Sequence, residues 1–183
     1  LSVTNNIQGE IEMPMATPKL RYAEGDLFEY IPWYLSRDRT VLIPHCCNDV
    51  GAWGAGFVVP LGRNYPEAEK DYLSLVSVER RLGTTRFIPC DEGKVIVCNM
   101  IGQHGIYPDK DGTPPICYDY LFRAMDDVAM YAKGLRHSKL NPHIVCPMFG
   151  SGLAGGDWTG KIVPEIKELW IREGIPVTVF VLK

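Results

Sequence analysis

Apolar and polar positions alternate along this chain in two rhythms, short hydrophobic runs and longer stretches of helical period. From Lys19, "KLRYAEGD" predicts a short strand ending at Gly25, and "LFEYIPWYLSR" a short helix or turn interrupted by Pro32. "TVLIPHC" is apolar enough for a buried strand. "FVVPLGRNYPEAEKDYLSLVSVERR" is mostly helical, with breaks expected near Pro60 and Pro66. "TRFIPC" and "KVIVCNMIG" predict two strands joined by a hairpin-type turn at "DEG". After a polar Gly/Pro loop, "QHGIYPDKDGTPP", a helix is predicted over "ICYDYLFRAMDDVAMYAKGLR", where Tyr118, Leu121, Phe122, Met125, Val128, Ala129 and Ala132 recur at helical spacing. "HIVCPMFG" is another strand. "DWTGKIVPEIKELWIREG" is a last helix with Gly174 at its stop, and "PVTVFVL" a terminal strand.

Strands alternating with helices predict an α/β fold in three layers, with a central mixed, mostly parallel sheet of roughly six strands between helices. Residues 1–17 stand outside this pattern. They show no period, and prolines break them, so they read as an N-terminal extension, with Met15 a candidate natural start. Residues 18–183 read as a single domain, a size that supports a sizeable core.

Composition narrows the function classes. A formal net charge of −3 gives no electrostatic ground for nucleic acid as the main partner. No apolar run approaches the ~20 residues needed to span a bilayer, and Leu1–Pro18 is too polar for a secretory signal. None of the six cysteines forms a C-x-x-C pair, and Cys98 and Cys146 sit in apolar runs as small buried hydrophobes do. A reducing, cytoplasmic compartment is expected. No metal-ligand cluster is evident, so the expected chemistry is metal-independent and without a cofactor.

Two places share one design. In "TVLIPHCCNDVGAWGAGFVV" and in "HIVCPMFGSGLAGGDWTGKI" a buried strand runs into a glycine loop and then a helix. Ligands of open α/β sheets bind beyond the carboxyl ends of strands, and a glycine loop there exposes backbone N–H groups to an anion. Two such loops would suit a diphosphate, although "GAWGAG" is not a G-x-G-x-x-G and "GSGLAGG" lacks the Lys-Ser/Thr of a P-loop. Tight turns are the alternative reading of both loops. His45 could be structural, Asn48 a turn cap, Asp26 an N-cap for "LFEYI", Ser151 a small loop residue, Asp157 an N-cap for the last helix and Phe180 a core residue.

The stretch "HCCNDVGAWGAG" followed by "YPEAEKDY", the loop "GSGLAGGDW" and the turn "EGDLF" resemble the macrodomains, ADP-ribose-binding α/β/α modules, and within them the fungal-type ADP-ribose 1″-phosphate phosphatases. The likeness runs from Lys19 to the C-terminus. It implies that Asp26 accepts a hydrogen bond from the adenine amino group and that Leu27 adds a backbone N–H. It implies that Asn48 lies near the distal ribose, with Gly54, Ala55, Gly56 and Phe57 along the distal ribose and diphosphate. Ser151, Gly152, Leu153, Ala154 and Gly155 would wrap the diphosphate, and Phe180 would pack near the adenine. His45 would be catalytic, with Asn48 orienting ribose or water and Asp157 polarising water if it faces the pocket.

The implied activity is hydrolysis of ADP-ribose 1″-phosphate by a monomer with no membrane or nucleic-acid partner. Release of ADP-ribose from modified macromolecules or from O-acetyl-ADP-ribose, and a non-catalytic ADP-ribose reader, stay open. Ala154 stands where some macrodomain hydrolases that free acidic side chains carry an aspartate. Lys110 is a candidate for their lysine only by its place in the polar loop.

Overall fold

The structure, a computed structural model, describes residues 17–183, so all but the last residue of the expected N-terminal extension lies outside it. The run Arg39–Asn48 forms the long strand β2, buried at every position but Arg39 and Cys46. Five further strands complete the sheet: β1 (Arg21–Glu24), β3 (Thr85–Cys90), β4 (Val95–Gln103), β5 (Asn141–Cys146) and β6 (Val177–Val181). Their order is β1-β6-β5-β2-β4-β3, parallel throughout except for the antiparallel β3–β4 pair. The expected six-stranded, mostly parallel sheet is therefore present. β4 is buried at all nine positions, as a strand covered on both faces must be.

One face packs against α4 (Tyr118–His137) and the last helix, through Leu121, Met125 and Val128 and through Ile162, Ile166 and Trp170. The other face packs against α1 (Leu27–Leu35), α2 (Val58–Asn64) and α3 (Pro66–Ser74), through Leu27, Ile31, Leu61, Ala68 and Tyr72. Cys98 and Cys146 are fully buried in the first of these cores, as their apolar settings predict.

Three proline expectations meet different outcomes. The break at Pro66 is real, because Tyr65 (φ −132°, ψ 73°) separates α2 from α3. The break at Pro60 is not. Pro60 is the third residue of α2, where its missing N–H would have had no intrahelical acceptor. Pro32 sits inside α1 without interrupting it. The helix gives up one bond, yet its next turn closes with Ser36 N–H donating to the Pro32 carbonyl at 3.0 Å, and Ile31 and Tyr34 bury the same face on either side.

The last helix differs from a regular α-helix. A π turn (Trp158–Ile162), one α turn that we label α5 (Val163–Ile166) and a second π turn (Lys167–Ile171) follow one another. Ile162 N–H reaches the Asp157 carbonyl and Arg172 N–H the Lys167 carbonyl, each five residues back. Pro164, between the two wide turns, has no N–H for a tighter ladder. Gly174, at φ 79°, ends the element as expected.

Trp170 is fully buried on this helix, and its indole N–H donates to the Met125 carbonyl at 2.9 Å. Trp170→Ala is expected to lower unfolding free energy by about 3–5 kcal/mol in a urea titration. A loss under about 1 kcal/mol would contradict the packing described.

Candidate functional site

β2 and β5 end side by side at the same edge of the sheet, and the loops that leave them enclose a cavity of about 680 Å³. That volume suits a nucleotide-sized ligand. His45, Asn48, Gly54, Ala55, Gly56 and Phe57 line it from one side, and Gly152, Leu153 and Ala154 from the other. The two loops approach each other where a Cβ on Gly56 would lie 3.8 Å from Leu153 Cδ1. Gly56 adopts φ +78°, which a side chain disfavours. Gly156 has a different reason to be glycine: a Cβ there would overlap the Gly150 carbonyl, to which its own N–H donates at 2.7 Å.

The backbone of both loops is poised to donate. Among the described residues, the N–H groups of Trp53 through Phe57 have no acceptor, nor do those of Gly152, Leu153 and Ala154. None of the side chains lining the cavity is Asp, Glu, Lys or Arg. An anion here would meet oriented amide dipoles rather than counter-ions.

Asn48 holds the first loop in shape. Its Oδ1 accepts from Val50 N–H (3.1 Å), Ala52 N–H (3.0 Å) and the Tyr72 hydroxyl (2.7 Å), while its Nδ2 donates to the Ala52 carbonyl (2.9 Å). Tyr72 in turn accepts from Gly51 N–H at 3.1 Å. The amide of Asn48 is thus largely spent on the loop, while the residue also lines the cavity in which it is expected to orient ribose or water. Trp53 lies between His45 and Tyr72, with ring centroids 5.6 and 5.2 Å away, and Phe57 stacks on Phe28 of α1 at 5.6 Å.

His45 is 2% exposed, with Nε2 2.5 Å from Asn99 Oδ1. Asn99 Nδ2 donates to the Ala68 carbonyl at 3.2 Å, so Oδ1 is the acceptor and Nε2 carries the proton. The lone pair is left on Nδ1. Cys47 Sγ lies 3.8 Å from Nδ1 and 3.7 Å from Nε2, a weak hydrogen-bond contact with the ring. Burial lowers the His45 pKa to about 4, against a smaller opposing effect of the Asn99 hydrogen bond. The ring is neutral at physiological pH. Burial also pushes the Cys46 thiol up to about 12 and that of Cys47 well upward, so neither is a nucleophile near neutrality.

The other predicted residues are distributed less simply. Asp157 is exposed, stands outside the cavity and caps the last helix, with Oδ1 accepting from Gly160 N–H at 3.0 Å. The carboxylate thus serves its own helix, as the N-cap reading of the sequence has it, and Asp157 is not among the residues lining the cavity. Ser151 Oγ donates to the Met148 carbonyl at 2.5 Å within the second loop, and Gly155 closes that loop by donating to Gly152. Asp26, Leu27 and Phe180 lie beyond the cavity. Asp26 accepts from Phe28 N–H at 2.9 Å as the N-cap of α1, while Phe180 packs against Tyr30 at 5.1 Å. Gly25 N–H bonds the Val181 carbonyl at 3.0 Å, so Asp26 and Phe180 share the β1–β6 end of the same sheet edge. Lys110 is exposed and outside the cavity wall.

Sequence reasoning missed Asn99 and Tyr72, and left His104 without a role. Asn99 carried a signal, as a polar residue in a strand otherwise free of polar side chains from Val95 to Ile101. His104 Nδ1 lies 2.7 Å from Asp49 Oδ2, and that hydrogen bond raises its pKa. Among the described residues, no group of three or more His, Cys, Asp or Glu is arranged to hold a metal ion, and no helix is long and apolar enough to cross a membrane.

No protein-family model matches the chain. A macrodomain protein from Streptomyces coelicolor is 33% identical, with a TM-score of 0.68 over 89% of this chain and 99% of that one. The chain belongs to the macrodomain family. A Bacteroides thetaiotaomicron protein of unknown function is 34% identical, with a TM-score of 0.78 over 89% of this chain and 98% of its own. A Lodderomyces elongisporus protein named ADP-ribose 1″-phosphate phosphatase is 24% identical over 145 residues, 76% of this chain and 86% of the relative. The resemblance drawn from the glycine-loop motifs is borne out for family and branch.

The state of His45 has a direct check. In histidine-selective NMR its imidazole is expected to stay neutral with the proton on Nε2 at pH 6 and to titrate near 4. Stability follows with the same sign. Below 6.5 the unfolded chain takes up a proton that the folded ring refuses, so stability falls from there toward pH 4. Titration near 6.5 in the folded protein would refute the buried, Asn99-bonded geometry.

Proposed function

We propose that this macrodomain binds ADP-ribose derivatives and hydrolyses ADP-ribose 1″-phosphate to ADP-ribose and phosphate. The observation that carries the reading is the pair of glycine loops that line one cavity without charged walls and whose N–H groups, from Trp53 to Phe57 and from Gly152 to Ala154, have no acceptor among the described residues. Such a site binds a diphosphate through fixed dipoles and leaves the overall acidity of the chain irrelevant to affinity. The fungal relatives named for this activity support the choice of substrate.

In this reading Asp26 and the Leu27 N–H meet the adenine, Phe180 packs beside it, and the two loops span the diphosphate. The distal ribose and its phosphate lie against His45. Because Nε2–H is committed to Asn99, Nδ1 offers a lone pair that accepts a hydrogen bond from the attacking water and orients it. A pKa near 4 makes His45 a weak base, so most of the rate comes from positioning and from N–H donors aimed at developing charge. Attack forms a bond from the water oxygen to phosphorus and breaks the bond from phosphorus to the ribose oxygen, which takes up the proton that the water gives up.

A second reading, a reader that binds ADP-ribose without turnover, is favoured by one observation. The cavity wall has no carboxylate, and by the resemblance Ala154 stands where macrodomain hydrolases that free acidic side chains carry an aspartate. Binding without turnover of the 1″-phosphate, an ADP-ribosylated protein or O-acetyl-ADP-ribose would select it. Turnover of the last two alone would make the protein a hydrolase of a different linkage.

The test is a turnover assay on the 1″-phosphate with variants and a pH series. His45→Ala is expected to lose about 100-fold in kcat, and Asp157→Ala to keep wild-type turnover. Comparison with the His45→Ala profile removes the substrate phosphate's own second ionisation, at about 6; the remaining difference should be flat between roughly pH 5 and 8 and change only toward pH 4, because His45 acts in its neutral form. Full turnover by His45→Ala, or an acid limb near 6.5 that is present in the wild type and absent from His45→Ala, would contradict the role given to His45.

A further inference from the structure

The loop from His104 to Pro115 matches neither glycine loop, yet it is tied to the surroundings of both. Its two ends are joined by an isolated bridge between Gln103 and Ile116 and by His104 N–H donating to the Pro115 carbonyl at 2.9 Å. At its root, Asp49 accepts from Gly105 N–H at 2.9 Å and pairs with His104, while Asp49 N–H donates to the Gln103 carbonyl at 3.0 Å. At its far end, Ile116 N–H bonds the Ala154 carbonyl at 3.1 Å, and Pro114 fills the space where a Cβ on Gly155 would stand. Asp49 immediately follows β2, and Ala154 and Gly155 belong to the second glycine loop. The segment is therefore fixed to both sides of the cavity.

From that frame the loop presents two side chains to the cavity, Ile106 and Tyr107. Tyr107 is 77% exposed and Ile106 38%, with no element packed over either among the described residues. A large aromatic left in the open at a cavity mouth is a ligand contact more readily than a core residue. Its end of the cavity is fixed by register. β4 runs beside β2 with Asn48 opposite Gln103, whereas β1 and β6 lie on the other side of β5. Ile106 and Tyr107 thus bound the His45 end, away from Asp26.

We infer that Tyr107, supported by Ile106, is a specificity-determining residue whose ring packs on the sugar at the His45 end of the ligand, distinguishing a nucleoside diphosphate that carries a second sugar from one that lacks it. This inference rests on the ADP-ribose reading above. The apolar ring face meets the C–H groups of the sugar, and discrimination arises because ADP places nothing there.

The test compares ADP-ribose with ADP by calorimetry on wild type, Tyr107→Ala, Tyr107→Phe and Ile106→Ala. The ratio of the two dissociation constants isolates the second sugar. Tyr107→Ala is expected to weaken ADP-ribose about five- to ten-fold while leaving ADP unchanged. Ile106→Ala should act in the same direction and less strongly, and Tyr107→Phe should keep the wild-type ratio. An unchanged ratio in Tyr107→Ala, an equal loss for both ligands, or a Tyr107→Phe variant that behaves like Tyr107→Ala would overturn the inference. Failure of the wild type to bind either nucleotide would instead remove the ADP-ribose reading on which it stands. Because Tyr107 is exposed, the substitution leaves the fold intact, which an unchanged melting temperature verifies.

Discussion

Backbone amides must find acceptors, and a chain that leaves consecutive N–H groups of two loops without any has to fix those loops by other means. The cavity edge depends on that constraint. Gly54, Ala55 and Gly56 are exposed, so water satisfies their donors until an anion takes its place. Holding the loops that carry these donors falls to side chains outside the donor run. Asn48 and Tyr72 fasten the turn that precedes the first loop, Phe28 clamps Phe57, and Gly156 allows the second loop to fold back on Gly150. Electrostatic binding by fixed dipoles needs rigidity more than charge, which accounts for a cavity without a lysine or arginine in its wall.

The same constraint explains the environment of His45. A strand that ends under the first loop must bury its last side chains, so an imidazole placed there is desolvated and keeps its proton count fixed. Asn99, on the neighbouring strand, is the partner that makes the burial tolerable, and Ala68 of α3 satisfies Asn99 in turn. A neutral ring with a defined tautomer is useful as an acceptor and poorly suited to donating protons at neutral pH.

Much of this was legible in the sequence because it was local. Runs such as Val41-Leu42-Ile43 and the helical spacing from Tyr118 to Ala132 mark elements whose packing is decided by their own periodicity. The glycine loops were legible for the same reason, since their signal is the absence of side chains. What was not legible depends on contacts between distant residues. The pairing of His45 with Asn99 spans 54 positions, and that of Asp49 with His104 spans 55. Pro60 and Asp157 show a subtler gap. A proline three residues into a helix does no damage, and an aspartate beside a loop can serve its own helix, but both depend on where the helix begins. The π turns of the last helix, on either side of the turn that holds Pro164, are announced by no periodicity.

The central claim is that unpartnered backbone N–H groups, and no charged side chain, hold the anionic part of the ligand. Amide-resolved NMR on the protein titrated with ADP-ribose tests it most directly. The account predicts that the amide resonances of Trp53 through Phe57 and of Gly152 through Ala154 move furthest and gain protection from hydrogen exchange on saturation. Binding that leaves those amides unmoved, with the large shifts gathered elsewhere on the surface, would contradict it.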